Sequence, residues 1–381
     1  MKNQAAPGAK NIAVKLALYL AFELSRKKWK LAFSDQKGSR ARLVTVDARD
    51  WDRVRSEIEK AKSRFGLDAS VPVRSCYEAG REGFWVHRFL MEKQIENVVV
   101  DAASIEVNRR SKHAKTDRMD AEKLVRQLVR YWEGEARVWS VVRVPSRETE
   151  DERQLHRDMG ILKREQNMHR TRIQSLLFTE GIEIEVDGQF LKHLEQARCG
   201  NGQPVPAWMR ARLEREYDRL KIVQSHLAQI KKQQKEQLQN VNTPANAKVV
   251  LLKQLSGIGM TSSWTFAKEF FWRTFKNRRE VASAVGITPM PYQSGDSSRE
   301  QGISRAGNWR VRTMAIEIAW SWLRFQPGSK LSQWYQSRFA TGGKRMRRIG
   351  IVALARRLMI DLWRYLETGV VPEGARLKVG G

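Results

Sequence analysis

Asp117 and Asp120 stand three residues apart where a stretch of helical periodicity begins, so both carboxylates point to one side. Like charges held that close disfavour each other's ionisation unless a cation joins them, and hard oxygen ligands at such spacing suit Mg²⁺. Lys112 and Lys115 lie in the basic run just before them, which favours a polyanion bridged through metal. The same residues equally describe a solvated helix start, with Thr116 as N-cap and the acids favoured by the helix dipole. Glu23 and Glu78 each end a strand-like segment, where surface acids are ordinary but where α/β sheets also collect ligands. Far along the chain, residues 289–308 are rich in Gly, Ser and Arg. Hydroxyls beside guanidinium groups fit a phosphate-binding loop, or a serine that attacks phosphorus, although no His adjacent in sequence could serve Ser294 as base.

The elements that must position these groups begin with three strand-like segments, 18–23, 29–33 and 42–46, the middle one alternating as a half-buried strand should. A charged amphipathic helix follows at 51–65, then a strand at 73–78 ended by Gly80, a helix at 84–92, and a β-branched run at 97–101 that reads as a buried, parallel strand. This order describes a mixed sheet covered by helices. It puts Glu23 at the end of the first strand, Glu78 at the end of the fourth, and Asp117 with Asp120 after the fifth. Four acids so placed could converge on two metal ions that clamp a phosphodiester.

After residue 145 the pattern changes. Leu155, Met159, Leu162, Gln166, His169, Ile173 and Leu176 form a heptad seam, and Leu213, Tyr217, Leu220, Val223, Leu227 and Ile230 continue it beyond a Gly- and Pro-containing connection at 200–206. Two long helices joined this way predict an antiparallel coiled-coil hairpin that spaces domains or pairs subunits, with His169 a packed seam residue. Thr243-Pro244 opens a third, helical segment. There Gly257 and Gly259 read as a helix-hairpin-helix turn whose amides approach a phosphate, or as a plain C-cap and turn. The expected domains are therefore 1–145, 146–243 and 244–381. Trp309, Trp320, Trp322, Trp334 and Trp363 are expected to pack the core first and to stack on bases second.

The chain has 381 residues, enough for two or three domains, and its 70 Lys and Arg against 42 Asp and Glu leave +28. Such a charge opposes its own compaction, and a nucleic acid is the usual reason to carry it. From Arg299 onward, 16 basic residues face 5 acids, or +11. Cys76 and Cys199 alone exclude a disulfide framework or a Cys-rich zinc site and fit a reducing compartment. The longest apolar run, 12–24, is too short and too interrupted to span a bilayer, so a cytoplasmic protein is expected.

Glu23, the run Cys76-Tyr77-Glu78-Ala79-Gly80-Arg81-Glu82-Gly83-Phe84-Trp85, and Lys115-Thr116-Asp117-Arg118-Met119-Asp120-Ala121 together resemble the DEDD-type insertion-sequence transposases, also called bridge recombinases. Ser294-Gly295 and the later Gly302-Ile303-Ser304-Arg305, with Gly307-Asn308, resemble that family's nucleophile loop. The resemblance implies an RNase-H-like N-terminal domain of the RuvC type found in Holliday-junction resolvases, with Glu23, Glu78, Asp117 and Asp120 binding Mg²⁺. Glu23 departs from the family's usual Asp, and Asp35 is the fallback ligand. It further implies that Ser294 attacks DNA to give a phosphoserine link, with Arg299 and Arg305 as charge partners and Ser297, Ser298 and Ser304 as competing nucleophiles. A homodimer or homotetramer, in which acids and serine come from different subunits, and a noncoding guide RNA are implied as well. Two rivals remain on the residues alone: a metal-dependent endonuclease that uses only the acids, and a non-catalytic nucleic-acid-binding protein.

Overall fold

The computed structural model describes residues 16–36, 40–105, 117–135, 137–239, 243–294 and 297–378, with backbone alone for 117–118, 293–294 and 297–300. Lys112 and Lys115 lie outside the described residues. The chain divides into two compact units, 1–145 and 146–381.

The first unit is built on five strands: β1 (Leu18–Leu24), β2 (Lys28–Ser34), β3 (Arg42–Asp47), β4 (Val73–Glu78) and β5 (Glu96–Val100), in the order β3-β2-β1-β4-β5. β1, β2 and β3 are antiparallel, whereas β1, β4 and β5 run parallel. Helices α1 (Trp51–Arg64) and α2 (Trp85–Glu92) separate the strands, and α3 (Asp117–Trp132) follows β5. Alternation sorts the strand residues by face. Leu20, Phe22, Leu31, Tyr77 and Val99 join Val54 and Ile58 of α1 and Val86 and Leu90 of α2 in one core. Tyr19, Ala21, Cys76, Val98 and Val100 meet Ala121, Leu124, Val125 and Leu128 of α3 in another. Both faces of β1 and β4 are therefore covered, which is why β1 reads as a near-continuous apolar run. The short strands and helices of the sequence reading all appear within a residue or two of their expected bounds, with β5 parallel as expected.

In the second unit, α4 (Arg147–Asp151) leads into α5 (Gln154–Thr179), and α6 (Phe190–Gln196) precedes the long α7 (Ala207–Gln239). Met159 and Leu162 pack with Val223, Leu227 and Ile230, while Ile173 and Leu177 pack with Leu213, Tyr217 and Leu220, so α5 and α7 run antiparallel. His169 lies between these clusters, its Nδ1 2.7 Å from Glu216 Oε2. Two details differ from the seam read in the sequence. Leu177, not Leu176, takes the deeply buried position, and the connection spans 180–206 and carries α6. Phe190 and Leu194 of that helix are buried against Leu213 and Tyr217, which caps the end of the pair.

The remaining helices are α8 (Pro244–Gln254), α9 (Met260–Trp264) continuing as a π-helical turn Thr265–Phe270, α10 (Arg278–Val285), α11 (Trp309–Phe325), α12 (Lys330–Tyr335) and α13 (Lys344–Thr368). Thr243 caps α8 through its hydroxyl and Pro244 fills the first turn, as the Thr-Pro pair predicts. Trp264, Phe266, Phe270, Trp322, Leu354, Leu358 and Leu362 form the core of these helices. Of the tryptophans on α11, Trp322 is fully buried, but Trp309 and Trp320 are 55% and 50% exposed. Core packing thus accounts for Trp322 and not for its two neighbours. Between α10 and α11, β6 (Pro289–Ser294) and β7 (Ser297–Ile303) pair into an antiparallel hairpin. No helix among the described residues is long and apolar enough to cross a membrane.

Candidate functional site

The acids of the first unit are placed by strand register. Phe22 pairs with Tyr77 across the parallel β1–β4 ladder, so Glu23 and Glu78, one residue further on each strand, occupy neighbouring positions at the carboxyl ends. Both follow the alternation of Tyr19, Ala21 and Cys76, which puts them on the face covered by α3. Helix α3 runs antiparallel to β4: Arg74 lies over the Trp132 ring at 4.1 Å, and Cys76 Sγ lies 4.0 Å from the Leu124 carbonyl. Asp120 precedes Leu124 by one helical turn, about 6 Å, and Glu78 follows Cys76 by two strand residues, about 7 Å, in the same direction. Asp117 precedes buried Ala121 in the same way. All four positions therefore border one edge of the α3-covered face. Among the described residues no three His, Cys, Asp or Glu side chains are grouped closely enough to hold a metal, and the Asp117 side chain is not among those described.

Two strand-end acids drop out by position. Asp35 follows β2, whose Ser34 pairs with Tyr19, so it lies level with Leu18 at the opposite end of β1, about 16 Å along the strand from Glu23. It is 3% exposed there and cannot stand in for Glu23 beside Glu78. Asp101, which ends β5, is committed to a turn, its Oδ1 accepting the Ala103 amide at 3.1 Å.

In the second unit, Ser294 ends β6 at the tip of the hairpin, paired with Ser297 across the turn. Arg299 pairs with Tyr292, two residue pairs from the tip. Met290 and Tyr292 are 45% and 49% exposed, and among the described residues no third strand joins β6 and β7. The base is fixed. Ser304 N donates to the Thr288 carbonyl at 3.0 Å, Thr288 Oγ1 donates to Ser304 Oγ at 3.2 Å, and Arg305 N donates to the Gly286 carbonyl at 3.0 Å. Ser304 is thereby part of the hairpin's base and Ser297 part of its tip, while exposed Arg305 adopts a left-handed φ of 55° where the chain turns toward α11.

Gly257 and Gly259 are anchored inward. The Gly257 carbonyl accepts the Ser321 hydroxyl at 2.8 Å, a Cβ there would lie 3.3 Å from Phe325 Cβ, and the Gly259 amide donates to Ser262 Oγ at 3.0 Å. The turn therefore packs against α11, and its carbonyl and amide serve the fold.

One group of residues gave little signal in the sequence. Glu269, in the π-helical turn, is 1% exposed and accepts from His156 Nε2 at 3.0 Å, Arg157 Nε at 2.6 Å, Arg157 Nη2 at 2.8 Å and Asn308 Nδ2 at 3.0 Å. Burial works to raise its pKa, but the hydrogen bonds and charges of Arg157 and His156 outweigh it and hold the carboxyl well below the usual range. An acid inside the aromatic run 264–275 was the available hint, since a charge among core aromatics needs a partner.

The profile of the family described as Transposase IS116/IS110/IS902 matches residues 249–336, which contain both the hairpin and Glu269. The chain is 37% identical to the provisionally named transposase y4rJ of Sinorhizobium fredii, over 95% of each protein. It is 27% identical to y4qE of the same organism over 66% of this chain and 59% of that one, and 24% identical to a provisionally named family 20 transposase of Pseudomonas aeruginosa over 84% and 92%. The chain belongs to the IS116/IS110/IS902 family of transposases.

Proposed function

We propose that the protein moves its own insertion element by cutting and rejoining DNA strands through a phosphoserine intermediate at Ser294. The observation that carries this reading is the adjacency of Glu23 and Glu78 on the edge bordered by Asp117 and Asp120, in a chain of a transposase family. That edge belongs to an RNase-H-like unit. An all-oxygen donor set of this kind fits Mg²⁺, with Glu23, Glu78, Asp117 and Asp120 as the residues that would hold it. When bound, the ion supplies positive charge to the phosphodiester oxygens.

The chain's own steps concern the serine and its surroundings. Ser294 Oγ bonds to phosphorus as the P–O3′ bond breaks, and the hydroxyl proton is matched by the one gained at the released 3′-oxygen. A phosphoester is kept throughout, so reversal of the step by another 3′-hydroxyl rejoins strands without ATP. Arg299 and Arg305, near the tip and at the base of the hairpin, neutralise the phosphate. Lys112, Lys115 and the +11 of the C-terminal stretch bind the DNA backbone. Assembly as a homodimer or homotetramer, with antiparallel α5 and α7 as a coiled-coil spacer, and choice of target by an element-encoded RNA complete the proposal.

Denaturing gels of the protein incubated with element-end DNA and Mg²⁺ test it. A covalent protein–DNA adduct forms, disappears in Ser294→Ala and is weakened in Asp117→Ala and Asp120→Ala. Cleavage that survives Ser294→Ala replaces this reading with hydrolysis by the acids alone, and absence of cleavage by the wild type leaves a binding protein.

A further inference from the structure

We propose that Glu269 and Asn308 form a positioning pair that sets the direction of the β6–β7 hairpin. The proposal rests on the reading of Ser294 as nucleophile and concerns what holds that serine in line.

Asn308 is used at both ends of its amide. Its Oδ1 accepts from Arg310 N at 2.9 Å and caps α11, while its Nδ2 donates to Glu269 Oε2 at 3.0 Å. Glu269 is in turn gripped by Arg157 and His156 of α5, so the carboxylate joins the start of α11 to a helix more than a hundred residues earlier in the chain. The bidentate Arg157 contact alone would neutralise the buried charge. The Asn308 contact adds direction, because it fixes the residue that leaves the hairpin.

The chain between Asn308 and the hairpin transmits that direction with little slack. At Gly307, φ is +79° and a Cβ would fall 2.1 Å from the Ala284 carbonyl oxygen; at Gly286, φ is +75° and a Cβ would fall 1.8 Å from the Ala306 carbonyl oxygen. The end of α10 and the start of α11 are thus pressed backbone to backbone. The next contacts toward the hairpin are Arg305 N to the Gly286 carbonyl and Ser304 N to the Thr288 carbonyl. Beyond them the ribbon extends about 16 Å to Ser294 with no strand beside it among the described residues. Its aim is set at the base.

Asn308→Ser separates positioning from folding. Serine is as good an N-cap as asparagine, so the α11 cap survives, but it has no amide to donate to Glu269. Adduct formation by the full chain on element-end DNA is followed at saturating and subsaturating DNA, beside Asn308→Ala, which loses cap and link together, and Ser294→Ala. Asn308→Ser is expected to keep the wild-type melting temperature and DNA affinity while the saturated rate falls about 10- to 100-fold, the cost of a misdirected nucleophile. Asn308→Ala is expected to be as slow and to melt lower. A wild-type rate in Asn308→Ser overturns the proposal, as does a loss of rate explained entirely by weaker DNA binding or a smaller folded fraction. If Ser294→Ala still reacts, the nucleophile reading itself fails, and the pair has nothing to aim; an inactive Ser294→Ala beside a fully active Asn308→Ser defeats the pair alone.

Discussion

Glu23 and Glu78 stand side by side at the carboxyl ends of two parallel strands, one residue beyond the Phe22–Tyr77 pair, while Asp35 lies at the other end of β1. Glu23→Gln and Glu78→Gln are each expected to slow Mg²⁺-dependent DNA cleavage about 100-fold or more, the usual cost of removing one charge-stabilising group. Asp35→Asn is expected to cleave at the wild-type rate once corrected for folded protein. Single-turnover cleavage assays decide this, and equal losses at Asp35 and Glu23 would show that the cluster has been drawn at the wrong end of the sheet.

Gly286 and Gly307 face each other's neighbours across a gap too narrow for a methyl group, and both have positive φ. Gly286→Ala and Gly307→Ala should each cost about 2–4 kcal/mol of stability, combining backbone strain with overpacking. Urea denaturation followed by circular dichroism would measure it. A variant with an unshifted midpoint refutes the interlock.

The two buried carboxylates Glu216 and Glu269 predict an acid limit to stability. Burial tends to raise the Glu216 pKa, but the hydrogen bond and charge of His169 and the charges of Arg219 and Arg172 outweigh it and hold it below its ordinary 4.5. A depressed carboxyl pKa stabilises the folded state fully above the ordinary value, and that share is lost as pH falls through the depressed one. Melting temperature should therefore drop between about pH 5 and pH 3. Glu216→Gln is expected to melt lower than wild type at neutral pH and to show a shallower decline across that window. Parallel curves for the two proteins would exclude the His169–Glu216 pair as a contributor.

Trp322 and Trp320 lie two residues apart on α11 with opposite fates. Trp322→Ala should cost about 3–5 kcal/mol, whereas Trp309→Ala and Trp320→Ala should stay within about 0.5 kcal/mol. Chemical denaturation of the three variants compares them directly. A large loss at Trp320 would mean that its half-exposed ring carries more packing than its surface suggests.

The sheet was legible because its strands are short, apolar or alternating and bounded by clear turns, and because β5 carries the unbroken β-branched run Val98–Val100. The helix start marked by Thr243-Pro244 was legible through capping chemistry. The helix α6 was not, since its seven residues show too little periodicity to stand out within the connection between α5 and α7. The position of Asp35 was hidden because strand direction, not sequence distance, decides which end of β1 a following residue reaches. Glu269 was hidden for a different reason: its four hydrogen bonds come from residues about 40 and 110 positions away, and no local pattern announces a partner that distant.

The hairpin between α10 and α11 behaves as a cantilever clamped at one end. With a reach of about 16 Å, a swing of about 4° at the clamp carries the tip about 1 Å, enough, on the chemistry proposed for Ser294, to take its oxygen out of line. Pro289 and Pro291 stiffen the first arm and deny it amide donors, which also discourages a stray strand from another molecule from adding to the ribbon. A lever of this kind is most sensitive at its fulcrum, so substitutions that redirect the tip should be sought around Gly286, Gly307 and Asn308 as well as at the tip itself.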